Sequence, residues 1–126
     1  MLQIIFAGRD LASLPVFKIA IEESNGQVTC LDSGQQVLDA VSEKQFDLLV
    51  ADEILEDMSG LELIESVIMN QLMLNCAAVS SLSTEDYHEA SEGLGVLMQL
   101  PSAPGREEAH ALMKHLNKIQ SFKVGL

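Results

Sequence analysis

Apolar runs and helical stripes alternate along the chain at a steady pace. Residues 2–7 (LQIIFA) are short, apolar and partly β-branched or aromatic, and Gly8 closes them, so a buried strand is predicted. Residues 11–23 then put Leu14, Phe17, Ala20 and Ile21 on one helical face. Asp10 can cap that helix, Pro15 falls in or near its first turn, and Asn25-Gly26 supplies the stop. Further strands are predicted at 27–31, 47–51, 76–79 and 95–100.

Four more helices separate and follow these strands. Ser33-x-x-Gln36 reads as a capping box and opens one with Val37, Leu38 and Val41 on a side. The next starts after Gly60 and carries Leu61, Ile64, Val67, Ile68 and Leu72. A weak, polar helix is predicted over 83–93, and a last one over 106–119 with Ala109, Leu112, Leu116 and Ile119 inward. The tail, 121–126, has no clear pattern. Strands alternating with helices imply βαβ units and a parallel sheet covered on both faces, which suits continuous rather than alternating apolar strands. The expectation is one α/β domain over residues 1–126, with a core of about 2–119.

Composition narrows the function classes. The net charge of −12 argues against nucleic acid and against an anionic membrane surface, since both need cations on the protein. Cys30 and Cys76 each lie in an apolar run and read as buried small hydrophobes. There is no secretory leader pattern and no apolar stretch near membrane-spanning length, which predicts a cytoplasmic protein.

In open parallel sheets, ligands bind beyond the carboxyl ends of the strands. Those exits hold Gly8, Arg9 and Asp10; Asp52 and Glu53; Ser80 and Ser81; Leu100 and Pro101. A carboxylate ending a central strand can accept a phosphoryl group as a nucleophile, aided by a hydroxyl, a cation or a metal. Asp52 has the exit position and Ser80 offers the hydroxyl. The plainer alternative for Asp52 is an acid capping the following turn. Glu53, Glu56 and Asp57 read as a solvated loop rather than metal ligands, and His110 and His115 are poorly spaced for one metal.

The segment DLLVADEILEDMSG (47–60) resembles the DLVLLDxxMPxMDG pattern of response regulator receiver domains, and the resemblance extends over roughly 2–119. Asp47, Asp52, Met58 and Gly60 match, and the family's proline falls on Glu56. NCAAVSS resembles PVIxLTA, with Ser80 at the switch hydroxyl, and GLGVLMQLPS resembles GADDYLxKPF, with Gly93 and Pro101 matching. The resemblance implies a flavodoxin-like (βα)5 sheet of order 2-1-3-4-5, Asp52 as phosphoacceptor, and a cis bond before Pro101. It implies a signalling domain in a two-component phosphorelay, not an enzyme, served by a sensor histidine kinase or phosphotransfer protein. It also implies a protein-partner or homodimer face over 84–119, which His88, Arg106, Lys114 and Lys118 would make partly positive.

The departures define an atypical member. The family's paired acids fall on Gly8 and Arg9, its lysine on Leu100 and its switch aromatic on Leu97. Asp10 is the remaining acid that could join Asp52 as a metal ligand, so magnesium is expected to bind weakly. The competing expectation is a phosphorylation-independent pseudo-receiver that works as an adaptor. The opening IIFAG also resembles the start of the formyltransferase family, but the downstream catalytic set of that family has no counterpart here.

Overall fold

The computed structural model describes residues 2–8, 14–70, 74–80, 83, 85–86, 89, 99–101 and 104–124; the side chains of 14, 70 and 120–124 are outside the description. The apolar runs become β1 (Leu2–Ala7), β2 (Gly26–Leu31), β3 (Leu48–Ala51), β4 (Asn75–Val79) and β5 (Gln99–Leu100). They pair in parallel in one sheet of order β2-β1-β3-β4-β5. The helices among the described residues are α1 (Leu14–Glu23), α2 (Gly34–Glu43), α3 (Gly60–Asn70) and α4 (Arg106–Val124). The fold is the expected doubly wound, flavodoxin-like one.

Strand side chains alternate between two apolar layers, which is why the strands are apolar throughout. Ile4, Phe6, Leu48, Val50, Ala77 and Val79 point to the layer under α1 and α4. Ile5, Ala7, Leu49, Ala51, Cys76 and Ala78 point to the layer under α2 and α3. Phe17 of α1 meets Phe6 edge to face at 5.8 Å between ring centroids. Of the expected helix faces Phe17, Ala20, Ile21, Val37, Val41, Ile64, Val67, Ala109, Leu112 and Leu116 are buried, Leu38, Leu61, Ile68 and Ile119 are partly buried, and Leu72 and the Leu14 side chain lie outside the description; Leu63 and Met113 are additional buried members.

The two acids of the DLLVAD run divide between the edges of the sheet. At the amino edge, Asp47 Oδ2 accepts the Gln3 amide (2.7 Å), and the Asp47 amide donates to the Gln3 carbonyl (2.8 Å). Asn75 Nδ2 donates to the Asp47 carbonyl (3.4 Å), so one residue stitches the starts of β1, β3 and β4. Asp52 stands at the opposite, carboxyl edge.

Local signals acted largely as predicted. Asn25 takes a positive φ of 70°, the left-handed turn that ends α1. Ser33 and Gln36 form the full capping box of α2. Ser59 and Glu62 form a second box at α3: the Glu62 amide donates to Ser59 Oγ (3.1 Å) and the Ser59 amide to Glu62 Oε1 (3.4 Å). That S-x-x-E signal stands in the sequence but was not among the expectations.

Several expectations are corrected. Cys30 is exposed rather than buried, because β2 is an edge strand and residue 30 lies at its flank. Cys76 is buried, and burial pushes its thiol pKa up to about 12. The last helix runs on to Val124, five residues past the predicted end at 119, since no Pro or Gly interrupts it before Gly125. No cis peptide occurs among the described residues, so Leu100–Pro101 is trans, the form an X–Pro bond prefers by about 0.5–1 kcal/mol unless its surroundings oppose it. Of the predicted strand over 95–100, residues 95–98 lie outside the described residues, as does most of the helix over 83–93, where 85, 86 and 89 are helical.

The packing predicts a sharp contrast within one helix. Phe17→Ala should cost about 3–5 kcal/mol in urea unfolding, as expected for removing a fully buried aromatic ring. Its neighbour Val16, 51% exposed, should cost less than about 0.5 kcal/mol on the same substitution.

Candidate functional site

Asp52 follows directly on β3, where the apolar run meets its first charge. Its amide donates to the Ala7 carbonyl (2.8 Å), which extends the β1–β3 ladder by one bond. The residue is half-buried, and its Oδ1 accepts the amide of Glu53 (2.8 Å). Two glycines bound it. A Cβ at Gly8 would lie 3.0 Å from Asp52 Cβ and 3.1 Å from Oδ2, so position 8 faces the carboxylate. A Cβ at Gly60 would run into the Asp52 carbonyl oxygen. Gly60 is therefore required by close backbone approach, which explains the glycine that ends the motif.

Ser80 ends the neighbouring strand and is buried, at 8% exposure. Its amide donates to the Leu100 carbonyl (2.9 Å), and Ala51 pairs with Ala78, so Asp52 and Ser80 stand at the exits of adjacent strands, one residue out of register. Ser80 and Glu53 line one cavity of about 140 Å³ with Ser59, Gly60, Leu61, Ala78 and Val79. The cavity is the space between the β3–α3 loop and the end of β4.

The loop from Glu53 to Ser59 is folded tightly. Ile54 and Ser59 form an antiparallel bridge, the Leu55 amide donates to the Met58 carbonyl (2.8 Å), and the Gly60 amide to the Glu53 carbonyl (3.0 Å). Leu55 is buried under α2 and α3. Asp57 is exposed, yet its Oδ1 accepts the Gly34 amide (2.7 Å) and its Oδ2 the Gln35 amide (3.0 Å). These are the first amides of α2, which no helical carbonyl reaches. The Gly34 bond above all, with smaller help from the amides of Gln35 and Asp57 itself, outweighs the opposing effect of desolvation and holds the Asp57 carboxyl below its usual range. Met58 lies over Gly34 so closely that a Cβ there would overlap its thioether.

Asp57 is thus more than the solvated acid expected from the sequence. Its partners are 22 and 23 positions away, a separation no local pattern reveals. Arg9, Asp10, His88 and Leu97 lie outside the described residues. Leu100, at the position of the family's lysine, is fully buried with Phe6, Val79 and Leu112. Among the described residues no three His, Cys, Asp or Glu side chains gather where they could hold a metal. Magnesium keeps several waters and takes one or two protein carboxylates, and of the two expected ligands Asp52 is the one among the described residues that would hold it.

Two outcomes follow from this geometry. Gly60→Ala should destabilise by about 1–3 kcal/mol in chemical unfolding. Gly105→Ala, whose Cβ would meet only Glu108 Oε1 at 3.6 Å, should stay within about 0.5 kcal/mol. The lowered Asp57 pKa means that its stabilisation is present above the unfolded value and is lost as pH falls through the folded value. Asp57→Asn should therefore lower Tm at pH 7, and the gap to wild type should close below about pH 4 in a thermal-melt series.

Comparison with known proteins fits this arrangement. A sequence profile described as response regulator receiver domain matches residues 10–114. No curated protein matches the sequence. The chain resembles the receiver domain of Francisella response regulator 1452, with a TM-score of 0.83, 20% identity, and 95% of this chain and 99% of that one covered. It also resembles the chemotaxis response regulator CheY4 of Vibrio cholerae, with a TM-score of 0.81, 13% identity, and coverage of 92% and 98%. The signal receiver domain of an HD domain-containing protein from Pseudomonas fluorescens Pf-5 gives 0.82, 14% identity, and coverage of 99% and 93%. At these identities the structures establish the shared fold, and the profile match over most of the chain establishes the family: the protein belongs to the response regulator receiver domains.

Proposed function

We propose that this receiver domain relays a two-component signal by accepting a phosphoryl group on Asp52. The observation that carries the reading is the pairing of a half-buried carboxylate at the exit of β3 with a buried hydroxyl, Ser80, at the exit of β4. A carboxylate oxygen of Asp52 attacks the donor phosphorus, a new P–O bond forms, and the bond from phosphorus to the donor breaks. With acetyl phosphate the leaving group is acetate, which departs with the electron pair; the product is an acyl phosphate on Asp52. Ser80 is the hydroxyl assigned to donate a hydrogen bond to that phosphoryl group. The donor in the cell is a sensor histidine kinase or phosphotransfer protein, and the setting is the cytoplasm. No described helix is long and apolar enough to cross a membrane.

A second reading, a phosphorylation-independent adaptor, is favoured by one observation: Leu100 is fully buried where the family pattern has a lysine. Intact-mass measurement after incubation with acetyl phosphate and magnesium separates the two. The acceptor reading expects one added phosphoryl group, absent in Asp52→Asn. An unmodified wild-type chain leaves the adaptor.

The output face is assigned to 84–119. Its described part is α4, where His110, Lys114 and Lys118 are exposed at steps of four residues and so share one side. Four of the chain's seven Lys and Arg (Arg106, Lys114, Lys118 and Lys123) lie in this helix, which makes it the place for an acidic partner surface or a second copy. The double reversal Lys114→Glu/Lys118→Glu should weaken association, as read by size exclusion with light scattering. Unchanged association would move the interface elsewhere.

A further inference from the structure

We propose that Asp57 is a positioning residue for the acceptor: by closing on the first amides of α2 it holds the 53–59 loop in the shape that orients the Asp52 carboxylate. This rests on the reading of Asp52 as acceptor. Asp52 Oδ1 accepts the Glu53 amide (2.8 Å), which ties the carboxylate to the first residue of the loop. Glu53 is held in turn by its carbonyl, which accepts the Gly60 amide (3.0 Å), so the loop's two ends are fixed to each other beneath Asp52.

The middle of the loop has little covalent restraint. Residues 53–59 contain no proline, so no φ is locked there. Glu56 instead donates its amide to the Asp32 carbonyl at a long 3.4 Å. The short bonds at the apex are those of Asp57, at 2.7 and 3.0 Å to Gly34 and Gln35, with Met58 seated on Gly34 beside them. Ser33 and Gln36 already complete the capping box of α2 on their own. That box serves the amides of Ser33 and Gln36 and leaves those of Gly34 and Gln35 to Asp57, so the same two bonds cap the helix and give the loop a direct charged tie to α2. A carboxylate makes stronger bonds to amides than a neutral acceptor does, so this tie is suited to holding a loop at an exposed edge.

Amide hydrogen exchange separates positioning from simple capping. In Asp57→Asn the amides of Gly34 and Gln35 lose protection under either view. Positioning predicts that Leu55 and Gly60 also lose protection, by about tenfold, while Gly8 and Asp52 in the sheet ladder keep theirs. Unchanged protection at Leu55 and Gly60 would overturn the proposal, because the buried Leu55 alone would then be holding the loop. Gly34→Ala, which displaces Met58 from the opposite side, should repeat the pattern. For modification by acetyl phosphate, Asp57→Asn should be slowed about tenfold, in line with the cost of misplacing a reacting group. An unaltered rate in a chain that does take the phosphoryl group would also overturn it. A wild-type chain that takes none defeats the acceptor reading, and the exchange result still decides the role of Asp57.

Discussion

The site depends on a close approach of two backbone segments. The amide of Asp52 is bonded to the Ala7 carbonyl, and its own carbonyl lies against Gly60 with no room for a side chain there. The first contact fixes the acid to the sheet at the point where strand order reverses between β1 and β3, the place where open α/β sheets expose reactive groups. The second fixes the start of α3 beneath it. The β3–α3 loop runs between these two contacts, lines the cavity beside Ser80 and is bonded at its apex to α2.

Much of the fold was legible because its causes are local. An apolar run of four to six residues closed by Gly8 or Asp52 can be buried on both faces only in a sheet with helices on both sides. Ser33-x-x-Gln36 and Asn25-Gly26 mark helix ends by chemistry that operates within a few residues. Where tertiary position decides, the same reasoning fell short. Cys30 and Cys76 sit in similar apolar runs, but one is on an edge strand and the other in the centre of the sheet. Met113 is buried beside Leu112 because α4 packs into the layer shared with α1.

The site was legible in part. The spacing from Asp52 to Gly60 carried the ancestry, and the structure supplies its reason in the carbonyl that excludes a Cβ. The role of Asp57 was hidden, since a charged residue in an acidic loop looks solvated until the amides of a distant helix are brought to it. Around the same carboxylate, Gly8 faces Asp52 and Leu100 is fully buried in the neighbouring apolar layer.

The central claim concerns the chemistry of one side chain, and an acyl phosphate has a distinctive reactivity. Borohydride reduces it to an alcohol, which converts a phosphorylated aspartate to homoserine. Treatment with acetyl phosphate, reduction and peptide mass mapping should find homoserine at position 52 and at no other acid. An unconverted Asp52, or conversion at a different aspartate, would contradict the account.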